Sequence, residues 1–348
     1  MLGDDVPTVG RDTLQPLVKV GEGGQGTVYL TDAVKINKVW PVAYKEYLPD
    51  TTFDAYLLRE MVGFVPRLNF DSGSWLFEHA AWPAALVQDN GRPSGFLMRR
   101  IPDRFRRAWG EGGTDAPASL QYLLNPQPFL LRKGIAIDDH GRLLLLTRIA
   151  DALARLHSLG IVVGDLSPNN LLVDLDDPEC FFIDCDAMRL HGQDVVTQVE
   201  TTEWQVPRPG REPVATRASD SYKFGLLAVR LFAQDQMGQD LTALTAVSPD
   251  LARLARFTLQ PDSTKRPAPE AWLPALQAAI WRVPAAPAAP AAPAAPAPAQ
   301  YVPPPSTAVP QTRTQTPPAP RQERSPVGTA LVVLLVIAGL IALLLSVT

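Results

Sequence analysis

The sequence predicts an α+β fold in which strands come first and helices follow. Apolar and polar residues alternate over residues 17–20, and two further strand-like stretches follow at residues 28–36 and 41–47. Later in the chain, apolar residues recur every three or four positions over residues 143–156, which is typical of an amphipathic helix that ends at Gly160. We therefore expect a β-rich N-terminal part and a helical part after it.

The composition limits the classes of function. The 348 residues include 32 Lys and Arg against 36 Asp and Glu, and a net charge of −4 gives no reason to expect a nucleic-acid partner. Two cysteines are too few for a disulfide-stapled scaffold, and we interpret Cys180 and Cys185 as free buried thiols. The hydrophobic content of 46% is sufficient for a globular core.

Residues 283–326 are predicted to form a disordered linker. They hold 14 of the 35 prolines, at first with a period of three, and almost no bulky apolar residues. Proline fixes φ and removes a hydrogen-bond donor, so neither a helix nor a sheet can propagate there. A docking site for a proline-reading module at residues 303–305 remains an alternative to a plain spacer.

Residues 327–348 are predicted to form a transmembrane helix. This stretch has no ionisable side chain, and its residues 330–345 are apolar apart from Gly339. About 20 such residues, at a rise of about 1.5 Å each, match a hydrocarbon core of about 30 Å. Arginines precede the stretch and none follows it, so we expect a single-pass, tail-anchored protein whose large N-terminal part is cytoplasmic. The small residues Ala338 and Ala342, four positions apart, would let two such helices pack closely, so a homodimer stays an alternative.

A glycine-rich motif, G-x-G-x-x-G-x-V at residues 21–28, joins the first two predicted strands. Glycines let backbone N–H groups approach phosphate oxygens closely. A hairpin turn without any ligand is the alternative interpretation. A dinucleotide-binding fold is disfavoured, because a strand and not a helix follows the glycines.

The third strand carries V-A-x-K, and a lysine beside a glycine flap can neutralise nucleotide phosphates. Lys35 and Lys45 compete for this role. Lys35 follows the glycines so closely in the sequence that it should still lie on the second strand, whereas Lys45 lies on the third. We therefore favour Lys45. Glu60, on a helix predicted over residues 54–64, could pair with the lysine, and a solvated surface glutamate is the alternative.

A second cluster of polar residues comprises D-L-S-P-N-N at residues 165–170 and I-D-C-D at residues 183–186. Phosphoryl transfer needs a carboxylate to receive the proton of the acceptor hydroxyl, and Mg²⁺ to bridge the phosphates. Asp165 can receive that proton, and Asn170 and Asp184 offer hard oxygen ligands. Apolar residues beside both motifs predict short buried strands that hold these side chains rigidly.

With these motifs, S-D-S-Y-K-F-G at residues 219–225 and P-D-S-T-K-R-P at residues 261–267, the chain resembles the eukaryotic-type (Hanks-like) protein kinase superfamily, in its divergent bacterial membrane-anchored branch. The resemblance covers residues 14–282. It implies a bilobal fold with a small β-rich lobe at about residues 14–100 and a larger helical lobe at about 101–282. The implied activity is that of an ATP- and Mg²⁺-dependent serine/threonine kinase acting on proteins.

The resemblance also implies roles for individual residues. Asp165 would be the catalytic base, Lys45 would hold the α- and β-phosphates while paired with Glu60, and Asn170 and Asp184 would bind Mg²⁺. The ATP-binding residues, which cover the phosphates or enclose the adenine, would be Gly21, Gly23, Gly26, Val28, Ala43, Lys45 and Leu172. Two residues would have structural roles, Asp220 as a brace of the catalytic loop and Arg266 in the late motif.

Several positions depart from the family pattern. Ser167 stands where a lysine is usual, and D-C-D replaces D-F-G, so that Asp186 is interpreted as a turn carboxylate or an added metal ligand. Arg208 stands where a glutamate would pair with Arg266, and Glu212 is the candidate substitute. Two alternatives therefore stay open: a nucleotide-binding pseudokinase scaffold at the membrane, and a small-molecule kinase.

Two further features concern regulation and an insertion. Thr197, Thr201 and Thr202 lie where autophosphorylation is expected for such a fold. Residues 103–127 resemble an insertion after the segment that joins the two lobes, and no function for them follows from the sequence.

Overall fold

The computed structural model describes residues 6–110, 112–208 and 212–285, all within one compact unit, Met1–Ala289. This unit has a β-rich N-terminal part and a helical C-terminal part, as expected. The predicted linker, apart from its first three residues, and the predicted membrane helix at 327–348 lie outside the described residues. Within the described ranges, no helix is both long and apolar enough to cross a membrane.

The N-terminal part is built on a six-stranded sheet. Its strands are β1 (Thr8–Gly10), β2 (Val18–Glu22), β3 (Gly26–Ile36), β4 (Trp40–Tyr47), β5 (Pro83–Asp89) and β6 (Arg92–Arg99). The spatial order is β1-β5-β6-β4-β3-β2, with a parallel β1–β5 pair and antiparallel pairs elsewhere. The three strands predicted from the sequence correspond to β2, β3 and β4 and are confirmed.

Alternation along β4 separates two faces of this sheet. Val42 and Tyr44 pack with Leu14 of the N-terminal segment in a small core. Ala43 and Lys45 have the opposite parity and line a cavity. The sequence of β4 therefore directs one lysine away from the small core and toward that cavity.

Two helices, α1 (Ala55–Arg67) and α2 (Phe70–His79), follow β4. Asp54 caps α1, because its carboxylate accepts hydrogen bonds from the backbone N–H groups of Tyr56 and Leu57. Apolar residues of α1, including Met61, belong to the main core, and the Trp82 indole donates to the Met61 carbonyl at 2.9 Å.

The helical part surrounds several short strands. Its elements are β7 (Arg106–Ala108), β8 (Asp115–Pro117), α3 (Gln127–Arg132), α4 (Asp139–Ser158), β9 (Ile161–Val162), β10 (Leu171–Asp174), β11 (Glu179–Phe182), β12 (Arg189–Leu190), α5 (Arg217–Ala233), α6 (Thr242–Val247), α7 (Pro249–Thr258) and α8 (Leu273–Arg282). The predicted amphipathic helix is α4, and Gly160 follows it with a φ of 81°, where the left-handed conformation favours glycine. The predicted buried strands pair as an antiparallel β10–β11 hairpin.

Candidate functional site

A cavity of about 810 Å³ lies between the sheet and the short strands of the helical part. The predicted site residues that line it come from the glycine motif, β3, β4, and the segments next to β10 and β11: Gly21, Gly23, Gly26, Val28, Ala43, Lys45, Asn170 and Asp184. The structure therefore brings together, around one space, residues that are up to 163 positions apart in the chain. Such convergence is what a ligand site requires.

Leu172 differs from the expectation, because it is not among the residues that line the cavity. It lies in β10, pairs in register with Phe181 of β11, and is 1% exposed within the main core. Met98 and Ile183 provide apolar lining instead. Since β10 is buried along its whole length, the sequence pattern alone does not reveal which of its residues borders the cavity.

The glycine motif forms a tight turn at one end of the cavity, closed by a hydrogen bond from Gly23 N to Gly26 O at 2.9 Å. Among the described residues, a Cβ atom at Gly21 or Gly23 would meet nothing within 4 Å, so no other segment packs against the turn there. At Gly26 a Cβ would lie 2.6 Å from the Glu46 carbonyl oxygen of β4. Gly26 is thus required by the close approach of two strands, and the first two glycines leave space for a ligand.

Lys45 extends from β4 and is almost fully buried. Its Nζ donates to Asp184 Oδ1 at 2.6 Å and to both Asp186 carboxylate oxygens at 2.7 and 2.9 Å. Burial alone would lower the pKa of Lys45, but the two carboxylates outweigh burial and raise it, so the ammonium stays charged. Lys35, the competing lysine, lies exposed on β3 and is not among the lining residues.

Asp186 is the main feature of this site that sequence reasoning missed. It is fully buried, and besides Lys45 it accepts a hydrogen bond from the Tyr47 hydroxyl at 3.0 Å. Burial and the adjacent carboxylate raise the pKa of Tyr47 well above its ordinary value, so the phenol keeps its proton and remains a donor. Neither earlier interpretation of Asp186, a turn carboxylate or a metal ligand, describes this contact with the lysine.

The expected pair between Lys45 and Glu60 is not formed. Glu60, on α1, makes an ion pair with Arg67 at 3.1 Å. The physical reason is that Asp186, in the turn after β11, already provides both of its oxygens to the ammonium.

Asp165 lies in the loop between β9 and β10. Its Oδ2 accepts hydrogen bonds from Asn170 Nδ2 at 3.0 Å and from the Thr201 hydroxyl at 2.8 Å, and its Oδ1 accepts from the Thr201 backbone N–H at 2.8 Å. The carboxylate is therefore linked to a residue of the cavity wall on one side and to a threonine hydroxyl on the other. Apart from the position of Thr201 in a threonine-rich segment, no pattern in the sequence indicates this second contact.

Asp220 and Arg266 have the contacts expected of structural residues. Asp220, at the start of α5 and fully buried, accepts hydrogen bonds from the backbone N–H groups of Val163 at 2.8 Å and Gly164 at 2.9 Å. It thus braces the loop that carries Asp165. Arg266 donates to both oxygens of Glu212, at 2.8 and 3.0 Å, so the predicted substitute partner is confirmed.

Asn170 and Asp184 are the candidate metal ligands. Asp184 has a φ of 59°, which is uncommon for a residue other than glycine and occurs often at functional sites. Across the described part of the chain, no group of three or more His, Cys, Asp or Glu side chains could hold a metal ion. Two oxygen-bearing side chains fit Mg²⁺, which usually takes its remaining ligands from water and substrate phosphates.

Comparisons with known proteins add no relative. A scan against models of protein families found no match for this chain, and a search of curated proteins found none either. The groups of the site themselves indicate its chemistry. A glycine turn, a charged ammonium and two oxygen ligands suit a polyphosphate bound with a divalent cation.

Proposed function

We propose that this protein is an ATP- and Mg²⁺-dependent serine/threonine kinase that transfers the γ-phosphate of ATP to a protein hydroxyl. The proposal includes a bilobal protein-kinase-like fold and membership of the divergent bacterial membrane-anchored branch of the superfamily. One observation carries it: the glycine turn, Lys45, Asn170 and Asp184 line a single cavity, and Asp165 is hydrogen-bonded to Asn170. Residues 327–348 would tether the enzyme to a membrane, with its folded part in the cytoplasm.

The nucleotide-binding part of the proposal rests on Lys45 and the glycine turn. The ammonium of Lys45 would pair with the α- and β-phosphates, and the turn would cover them with backbone N–H groups. Asn170 and Asp184 would hold Mg²⁺, which when bound supplies positive charge to the phosphates. Val28, Ala43 and the apolar lining would enclose the adenine.

The proton-accepting role rests on Asp165. Its carboxylate accepts a hydrogen bond from the Thr201 hydroxyl at 2.8 Å, which is the distance at which a base must meet the hydroxyl whose proton it receives. A serine or threonine hydroxyl of a substrate would need the same approach. This contact supports a hydroxyl group as the phosphate acceptor.

The test is transfer of labelled phosphate from ATP, with Mg²⁺, to a generic protein acceptor and to the chain itself. The full-length wild type should transfer label, and Asp165→Asn should lose at least about a hundredfold in rate, because general-base contributions are about 10²–10⁴. Asp250→Asn, which neutralises a half-exposed aspartate on α7 outside the cavity, is the matched control and should keep the activity.

A second function is favoured by one observation. Ser167 stands beside Asp165 in place of a cation, and its buried hydroxyl has no hydrogen-bond partner within the described residues. A site without that cation suits a pseudokinase scaffold that binds nucleotide without transferring phosphate. Measurable ATP binding by the wild type without any transfer, to protein or to small molecules, would favour this scaffold over the kinase.

A further inference from the structure

A fully buried ammonium lies directly behind Asp165. Lys223, on α5, has 0% exposure. Its Nζ donates to the Gly164 carbonyl oxygen at 2.6 Å, pairs with Glu200 Oε1 at 3.0 Å, and lies 4.0 Å from Asp165 Oδ1. Within the described ranges, it is the one cationic group within 4.0 Å of the Asp165 carboxylate.

The burial of Lys223 requires a reason, because an ammonium is taken out of water at a cost of several kcal/mol unless it is paired and hydrogen-bonded. Its partner Glu200 is itself mostly buried and also forms an ion pair with Arg208. Burial pushes the pKa of Glu200 upward, but Lys223 and Arg208 outweigh it and hold that pKa below its ordinary value. The Glu200 carboxylate is therefore ionised near neutral pH, where it pairs with the buried Nζ of Lys223.

The pair connects three separate segments at the point where Asp165 is held. Glu200 directly precedes Thr201, whose backbone N–H and hydroxyl both donate to Asp165. Gly164 directly precedes Asp165 and receives the ammonium of Lys223 on its carbonyl oxygen. The Lys223 ammonium thus bonds to Gly164, the neighbour of Asp165, and to Glu200, the neighbour of Thr201. Helix α5 supports the ammonium between them.

We propose that Lys223 is a positioning residue for the phosphate transfer proposed above: it bonds to the carbonyl oxygen of Gly164, just before Asp165, and, through Glu200, keeps Thr201 bonded to the Asp165 carboxylate. Lys223 does not line the cavity and has no exposed surface, so it acts through these residues and not on the substrate. The inference rests on the proposed function for its catalytic consequence, but its structural part can be measured without any activity.

The kinetic test uses Lys223→Met in the full chain, with the rate expressed per nucleotide-binding site so that unfolded protein is not counted. We expect kcat to fall at least about tenfold, because a hydrogen bond to a charged group is lost beside the base. KM and Kd for ATP should stay within about twofold of the wild type, since Lys223 is not a cavity residue. Lys265→Met, which removes an exposed lysine, is the matched control.

The structural test is hydrogen exchange resolved to single amides. The Thr201 amide should exchange at least about tenfold faster in Lys223→Met and in Glu200→Gln, while the Val163 and Gly164 amides keep their protection, because Asp220 holds those two. Glu200→Gln leaves the ammonium in place and serves if the first variant fails to fold.

The outcomes separate the two proposals. If the wild type transfers no phosphate, the proposed function fails, and the exchange rate of the Thr201 amide still decides whether Lys223 positions that residue. If the wild type is active and the variants keep both kcat and the protection of Thr201, Lys223 is only a buried charge of the core and the inference is overturned.

Discussion

At the residue scale, the partner of Lys45 differs most from what the sequence indicates. Glu60 is on the expected helix, but its carboxylate pairs with Arg67 on the same helix. Asp186 instead contacts the ammonium from the turn after β11, without any exposed surface of its own. Because a buried charge is costly without its partner, removing either Lys45 or Asp186 should destabilise the other residue's charged form.

The first prediction compares these two carboxylates. Asp186→Asn should lower kcat/KM for ATP by about ten- to hundredfold, because a charged hydrogen-bond partner contributes about 1.5–3 kcal/mol. Glu60→Gln should have a much smaller effect. Steady-state phosphate transfer with varied ATP measures both, and the reverse ranking would restore Glu60 as the functional partner of the lysine.

Most of the binding residues predicted from the sequence line the cavity, because their chemistry is tied to short motifs. The motifs predict Asn170 and Asp184 in this way. The choice of Lys45 over Lys35 depends instead on counting residues along two strands. The partner of the lysine could not be found, since it depends on which of several carboxylates the tertiary structure brings closest. Asp186 was visible in its motif, but no spacing rule separates a lysine partner from a turn carboxylate.

At the scale of elements, one side-chain contact ties the N-terminal segment to the sheet. Arg11 donates to both carboxylate oxygens of Glu46, on β4, at 2.5 and 3.1 Å. Burial raises the pKa of Glu46, but Arg11 outweighs burial and holds it below the ordinary value of 4.5. A lowered pKa means that the carboxylate stabilises the folded state in its charged form.

The second prediction follows from the sign of that shift. The contribution of Glu46 to the free energy of unfolding should be fully present above about pH 4.5 and should disappear as the pH falls through the lowered pKa of the folded state. Denaturant unfolding of the wild type and Glu46→Gln, from pH 7 down to pH 3, measures it. The gap between the two proteins should close on acidification, and a gap that widens there would contradict the assignment.

The insertion at residues 103–127 is the element whose placement the sequence could not predict. Its β7–β8 hairpin brings Arg106, Asp115, Ala116 and Pro117 to the cavity wall. A strand of three residues is too short for an alternation of apolar and polar residues to be detected in the sequence. Whether such a hairpin folds over a cavity or away from it depends on long-range packing.

At the scale of the whole molecule, the third prediction concerns the apolar C-terminal stretch. The full chain should partition into the membrane fraction and resist extraction by high salt, because about 20 apolar residues match the hydrocarbon core. A chain that ends at residue 326 should remain in the aqueous fraction and keep its ATP binding. Fractionation followed by carbonate washing measures this, and release of the full chain by carbonate would exclude a membrane span.

The two carboxylates that hold Lys45, those of Asp184 and Asp186, belong to the turn after β11 and not to α1. A rotation of α1 away from the sheet would therefore leave the ion pair between Lys45 and Asp186 intact. We therefore expect the position of α1 to have little influence on the charge partners of Lys45. In the proposed enzyme, regulation should act instead on the segment that carries Glu200 and Thr201. An effector that moves this segment away from Asp165 should lower the activity.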